Sequence, residues 1–202
     1  MRDVSPKGLA TILVCAGGGL AAPRGGRLSA LSKRLISGED FTSTLSGARI
    51  VAEGDTVIVG REPGDLRRCA VPDVALEPGR AVVWDGRYEL TAREPGWTVT
   101  AALGRLARLS PADRKIVRRA PAWARGALPV LYREDGGDTV LAGRRAEVRN
   151  LAPRRLKHAL GETTQEADLF LAVHGETPPT DLFSFEDNKH DAPHGPPRDR
   201  EP

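Results

Sequence analysis

The chain has 202 residues and a mass of 21.7 kDa, enough for one domain of good size or two small ones. Its 25 Arg, 5 Lys, 22 Gly and 16 Pro accompany only two cysteines, Cys15 and Cys69, too few for a disulfide framework or a four-ligand zinc site. The longest apolar run, Leu9 to Cys15, is far short of the roughly 20 residues that span a bilayer, and Arg2 followed by Asp3 does not make a signal-peptide start. A membrane protein, a disulfide-rich secreted scaffold and a zinc finger are therefore excluded, and a cytoplasmic setting is expected. The net charge of +3 hides a gradient: residues 1–160 carry 27 Lys/Arg against 17 Asp/Glu, whereas residues 161–202 carry 3 against 10. That division points to a polyanion partner for the body, with a tail of opposite sign able to compete for it.

Ser5-Pro6 has the signature of an N-cap followed by proline at the first helical position, predicting a helix to about Cys15 that ends at Gly17-Gly18-Gly19. A second helix is predicted from about Gly26 to Ile36, with Leu28, Leu31 and Leu35 on one face and Gly38 as its stop. From Phe41 the period changes to two. Residues 48–53 and 56–59 around Gly54-Asp55 predict one hairpin, and residues 81–84 and 87–91 around Asp85-Gly86 predict a second with a type I′ turn. Between them, residues 60–80 read as loop, because Pro63-Gly64, Pro72 and Pro78-Gly79 interrupt any regular element. A strand is expected over Trp97–Thr100, and Ser110-Pro111 repeats the helix-start signature with Asp113 in the first turn. Val130–Tyr132 and Thr139–Leu141 predict a third hairpin, and Pro153–Leu160 a last short helix.

The expected class is α+β: N-terminal helices, then antiparallel β-hairpins with short helices, then a disordered C-terminal tail. Four segments are expected: helical residues 1–37, a hairpin-rich domain over 38–100, a small basic α+β segment over 101–160, and an acidic, proline-rich tail over 161–202.

The residues offer no catalytic set. The glycine run from Gly17 to Gly26 follows a helix rather than a strand and lacks G-K-[ST], so it reads as an interhelical linker and not as a phosphate loop. His158, His174, His190 and His194 form no H-E-x-x-H pair, and Asp187, His190, Asp191 and His194 sit in the proline-rich tail without a rigid shell for a metal. Cys15 reads as a buried small hydrophobe and Cys69 as a loop cysteine beside Arg67 and Arg68. The informative feature is a cluster of cations, Arg105, Arg108, Arg114, Lys115, Arg118 and Arg119, straddling the start of the Ser110 helix. Arg114 with Arg118 and Lys115 with Arg119 fall at helical i, i+4 spacing, which predicts two basic columns that phosphates would relieve of their mutual repulsion. A plain solvated helix face is the alternative reading.

Several runs resemble tRNA(Ile)-lysidine synthetases of the alphaproteobacterial type: Leu9 to Leu28, Gly38 to Ile50, Gly60-Arg61-Glu62, Val83 to Glu89, Leu128-Pro129-Val130 and Gly161 to Thr164. The ordered series carries the resemblance, and it corresponds to the C-terminal, non-catalytic half of those enzymes. The resemblance implies an accessory tRNA-binding role for an enzyme that attaches lysine to the wobble cytidine of isoleucine tRNA. In the family ATP and Mg²⁺ belong to a separate catalytic domain with an S-G-G-x-D-S loop; this sequence has no such run, so no cofactor is expected on it and no activity is expected of it alone. A misassigned start at Met1, a split gene with a separately encoded catalytic half, and a decayed remnant are the corresponding expectations for a truncated form. The alternative is a structural or protein-interaction domain in which hairpins carrying Trp84, Tyr88 and Trp97 pack a core or dock a catalytic subunit.

Overall fold

Ser5 and Pro6 open the first helix as the sequence predicts. In the computed structural model, which describes residues 4–134, 136–137 and 139–162, α1 spans Pro6–Gly17 and ends on Gly18 at φ 70°. Ser5 Oγ accepts the Gly8 amide at 3.0 Å, satisfying one of the orphan donors of the first turn. Helix α2, Gly26–Ile36, buries Leu28, Leu31 and Leu35. Both helices pack on an antiparallel sheet of β1 (Phe41–Leu45), β2 (Ala48–Glu53) and β3 (Thr56–Arg61), in that order. The core between them holds Leu9, Leu13, Leu31, Leu35, Phe41 and Ile50. Each such side chain contributes about 1.5–3 kcal/mol on burial, which is what holds helices too short to persist alone.

Residues 60–80 are not the loop that their prolines suggest. They contain α3, Pro63–Arg68, and β4, Val74–Leu76. Pro63 stands at the first helical position, where a missing amide costs nothing. The Glu62 carboxylate accepts the Gly64 amide at 3.1 Å, and Leu66 turns into the core. Pro72 and Pro78 flank β4 instead of interrupting it.

The remaining strands are β5 (Ala81–Trp84), β6 (Tyr88–Ala92), β7 (Trp97–Ala101), β8 (Pro129–Tyr132), β9 (Val140–Leu141) and β10 (Ala146–Asn150). They form two antiparallel sheets, ordered β10-β6-β5 and β4-β7-β8-β9. Asp85 and Gly86 both have positive φ, 50° and 62°, as the predicted type I′ turn requires. The register pairs Trp84 with Tyr88, however, so Arg87 is left as an extra residue whose amide donates to the Trp84 carbonyl at 3.2 Å. Strand β10 escaped the sequence reading; it pairs with β6, Val148 opposite Leu90. Trp84, Tyr88, Leu90, Trp97, Val99 and Leu131 fill the core between these sheets.

Helix α4 spans Pro111–Val117 and α5 spans Leu151–Leu160, two residues earlier than Pro153 suggested, because Asn150 Oδ1 caps the Ala152 amide at 3.1 Å. No βαβ unit occurs among the described residues, and the fold is α+β as expected. The acidic tail beyond Glu162, with the residues named there for a metal, lies outside the described residues.

Candidate nucleic-acid interface

The basic cluster is built on α4 and the turns beside it. Ser110 Oγ accepts the Asp113 amide at 3.0 Å, and Pro111 occupies the first helical position. Val117 anchors the inner face among Leu109, Leu128, Val130 and Leu141. Asp113 also points inward: it is 2% exposed, accepts the Leu141 amide at 3.1 Å and pairs with Arg144 at 2.7 Å. The one carboxylate of the helix is thus spent on the interior, leaving no carboxylate of α4 itself on its outer face.

On that outer face Arg108, Arg114, Lys115, Arg118 and Arg119 are exposed, and among the described residues none of the five forms an ion pair. Several arginines elsewhere are engaged, Arg34 with Glu39, Arg49 with Glu62, Arg87 with Asp85 and Arg149 with Glu89, whereas the exposed Arg24, Arg27, Arg67 and Arg93 lie apart from α4 in the sequence and likewise form no ion pair among the described residues. The Arg114–Arg118 column keeps α-helical geometry, the Arg118 amide bonding to the Arg114 carbonyl at 3.0 Å. The second column does not stay helical; the helix ends at Val117, and the Arg119 amide turns to the Ile116 carbonyl instead. Arg105 differs from the other five. It is half-buried, with its guanidinium 4.2 Å from the centre of the Tyr132 ring, whose hydroxyl donates to Asp73 at 3.0 Å. Arg125, which the sequence reading passed over, closes the end of α4 by donating to the carbonyls of Ala120 and Arg118 at 3.0 and 3.2 Å.

A second cluster was not foreseen, although the resembling runs contain its members. Arg61, 5% exposed, donates to Asp85 at 3.1–3.2 Å, to Asp65 at 2.5 Å and to the Gly47 carbonyl at 2.9 Å. Arg87 donates to Asp85 at 2.7 Å and to the Ala127 carbonyl at 2.7 Å. Burial works against the Arg61 charge, but the Asp85 and Asp65 hydrogen bonds outweigh it and lift its pKa above the usual value. The end of α1 packs against the same point: a side chain on Gly17 would strike the Ser46 carbonyl, and one on Gly18 the Asp85 carbonyl. Arg155 of α5 ties the two turns together, donating to Gly86 O at 2.9 Å and Gly19 O at 2.6 Å. Arg61, Asp85 and Arg87 therefore form a buried joint between the end of β3 and the β5–β6 turn, beside the end of α1. The only sequence signal for it was charged residues inside otherwise apolar strand-and-turn runs.

Neither cluster has the equipment of a nucleotide or metal site. The Gly17–Gly19 backbone, the one stretch with a glycine-rich look, is covered by the Ser46 and Asp85 turns and does not fit a phosphate cradle. Among the described residues no group of three or more His, Cys, Asp or Glu is placed to hold a metal ion. No helix among them is long and apolar enough to cross a membrane.

Fold and surface together define an α+β antiparallel-sheet module with an exposed cationic face that has no ion pair among the described residues, and a buried ionic joint. Comparison with known proteins specifies the relation: the chain is related to part of a tRNA(Ile)-lysidine synthase, as the resembling runs implied. It is 42% identical to the tRNA(Ile)-lysidine synthase of Caulobacter vibrioides in an alignment 176 residues long that covers 82% of this chain and 43% of that protein. The chain thus spans less than half the length of its curated relative, an extent consistent with a C-terminal half. No protein-family profile matches the chain, and no solved structure matches it significantly.

Proposed function

We propose that this chain is the accessory tRNA-binding part of a tRNA(Ile)-lysidine synthase, holding isoleucine tRNA in the cytoplasm while a catalytic domain performs the ATP-dependent attachment of lysine. The observation that carries the reading is the α4 face, where five exposed cations have no ion-pair partner among the described residues. Arginine suits such a surface, since its planar fork meets phosphate oxygens two at a time. Phosphate contacts fix position without reading sequence, so this face supplies affinity and orientation. The chemistry is left to a partner domain, for the sequence contains no S-G-G-x-D-S run. ATP and Mg²⁺ would be held there, in a separately encoded catalytic half or in further residues of the same polypeptide.

Hairpin aromatics as docking anchors find less support, because Trp84, Tyr88 and Trp97 are all buried in the core. The test is fluorescence anisotropy with an isoleucine tRNA transcript. Wild-type protein is expected to bind with a dissociation constant of about 10⁻⁴–10⁻⁶ M at physiological salt, the range of backbone-dominated binding. The double variant Arg114→Glu, Arg118→Glu should bind at least about tenfold more weakly with an unchanged melting curve. Equal affinity of variant and wild type would overturn the proposal.

A further inference from the structure

Of the three tryptophans, one is placed unlike the other two. Trp84 and Trp97 are 2% and 5% exposed, and their indole N–H groups donate to the Pro72 carbonyl and to Glu94, both at 3.1 Å. Trp123 is partly exposed, and its N–H has no hydrogen-bond partner among the described residues. It sits in the turn that leaves α4, four residues beyond Arg119. That turn is tied down: the Ala124 amide donates to the Pro121 carbonyl at 2.9 Å, and Arg125 donates to the carbonyls of Ala120 and Arg118. The benzo edge of the indole lies over Gly60 of β3, where a Cβ would come within 2.9 Å of it. The Arg49 guanidinium, bonded to Glu62 at 2.6 Å, stands 5.5 Å from the ring centre. An aromatic ring is thus fixed with part of its surface in solvent, at the end of the helix that carries the exposed cations.

We infer that Trp123 is a stacking platform for an unpaired base of the RNA whose phosphates lie on the α4 face. The inference rests on the tRNA-binding reading of that face and adds which part of the ligand meets it: a looped or single-stranded stretch, not continuous duplex. Stacking on an aromatic ring tolerates any base, and it removes apolar surface from water where the α4 cations supply only charge. A ring already held by Gly60 and Arg49 loses little conformational freedom when a base settles on it. Along the chain Arg119 and Trp123 are at most about 14 Å apart, within the length of the few nucleotides that a single-strand site takes. Paired bases in a duplex stack on one another, whereas unpaired bases of loops and ends can be splayed onto a side chain.

The test uses the full chain and an isoleucine tRNA transcript. Acrylamide reaches Trp123 far more readily than the buried Trp84 and Trp97, so the quenchable emission reports this one ring. Saturating transcript is expected to shield it, and a blunt RNA duplex, which presents no unpaired base, is expected to bind without shielding. Trp123→Leu keeps an apolar side chain over Gly60. It should bind the transcript about tenfold more weakly with an unchanged slope of log K against log [salt], because stacking releases no counterions. Trp123→Phe should recover most of the loss. Transcript that binds while leaving the quenchable emission unchanged would overturn the inference and leave the tRNA reading standing, and this measurement needs no variant. Shielding by the duplex, or equal affinity of Trp123→Leu and wild type, would overturn it in the same way. So would a Trp123→Leu loss that comes with a shallower salt slope and no rescue by Trp123→Phe, the mark of a displaced α4 face. If the wild-type chain does not bind the transcript, the tRNA reading falls and the inference with it.

Discussion

Replacing Asp85 by Asn perturbs the buried joint with little change of shape, since Asn tolerates the positive φ of 50° that Asp85 adopts. The Asp85 side chain is 3% exposed and faces two guanidiniums that are 5% and 8% exposed, Arg61 and Arg87. With Asp85 neutral, Arg61 still has Asp65 and the Gly47 carbonyl, and Arg87 still has the Ala127 carbonyl. The joint nonetheless carries one uncompensated positive charge out of reach of water. Removing one partner of a buried ion pair costs about 3–5 kcal/mol, most of it the penalty on the charge left behind. The retained amide oxygen places Asp85→Asn near the low end, about 3 kcal/mol. That is a large share of a total stability of about 5–15 kcal/mol and a drop in Tm of roughly 10 °C. Urea unfolding of the variant, of Arg61→Met and of the double variant measures the loss and the coupling between the two residues. A loss below about 1 kcal/mol for Asp85→Asn, or additive effects in the double variant, would refute the idea that this pair joins β3 to the β5–β6 turn.

Three further outcomes follow from the same geometry. Gly18→Ala places a Cβ on the Asp85 carbonyl at a backbone φ of 70°; urea melts should show a loss of at least about 2 kcal/mol, from left-handed strain together with the displaced turn, and a loss under about 0.5 kcal/mol would contradict the close approach. Iodoacetamide should alkylate the exposed Cys69 promptly and Cys15 only on unfolding, because burial pushes the Cys15 thiol pKa up, partly offset by Arg155; equal rates for both would contradict the packing of α1. Burial pushes the Asp65 pKa up, but hydrogen bonds from Arg61 and Arg68 outweigh it and hold the carboxyl below its ordinary value. Its contribution is therefore present above the usual carboxylate range and lost as pH falls through the lowered folded value, below about pH 4. Acid titration of stability should be shallower in Asp65→Asn than in wild type, and superimposable curves would exclude the pairing.

Local signals in the sequence carried most of the elements. Ser5-Pro6 and Ser110-Pro111 marked two helix starts through the chemistry of their caps, and Leu28, Leu31 and Leu35 marked a buried face through their spacing. The losses have physical causes too. Pro63 reads as a breaker unless Glu62 is known to cap the turn it begins. Strand β10 is five residues with two charges, and only its distant partner β6 makes it a strand. Arg61 and Asp85 were legible as residues of resembling runs but not as a buried pair, since arginine and aspartate are ordinarily exposed and their contact joins separate turns. The basic face was legible as composition. That it has no ion pair among the described residues depends on Asp113 facing inward, which the sequence does not reveal.

The salt dependence of tRNA binding tests the central claim most directly. If about four of the exposed cations meet phosphates, log K for the isoleucine tRNA transcript should fall against log [salt] with a slope near −3, and Arg114→Ala should make the slope shallower by about 0.7–0.9. A slope near zero, or one that Arg114→Ala leaves unchanged, would contradict the assignment of the α4 face as the surface that holds tRNA.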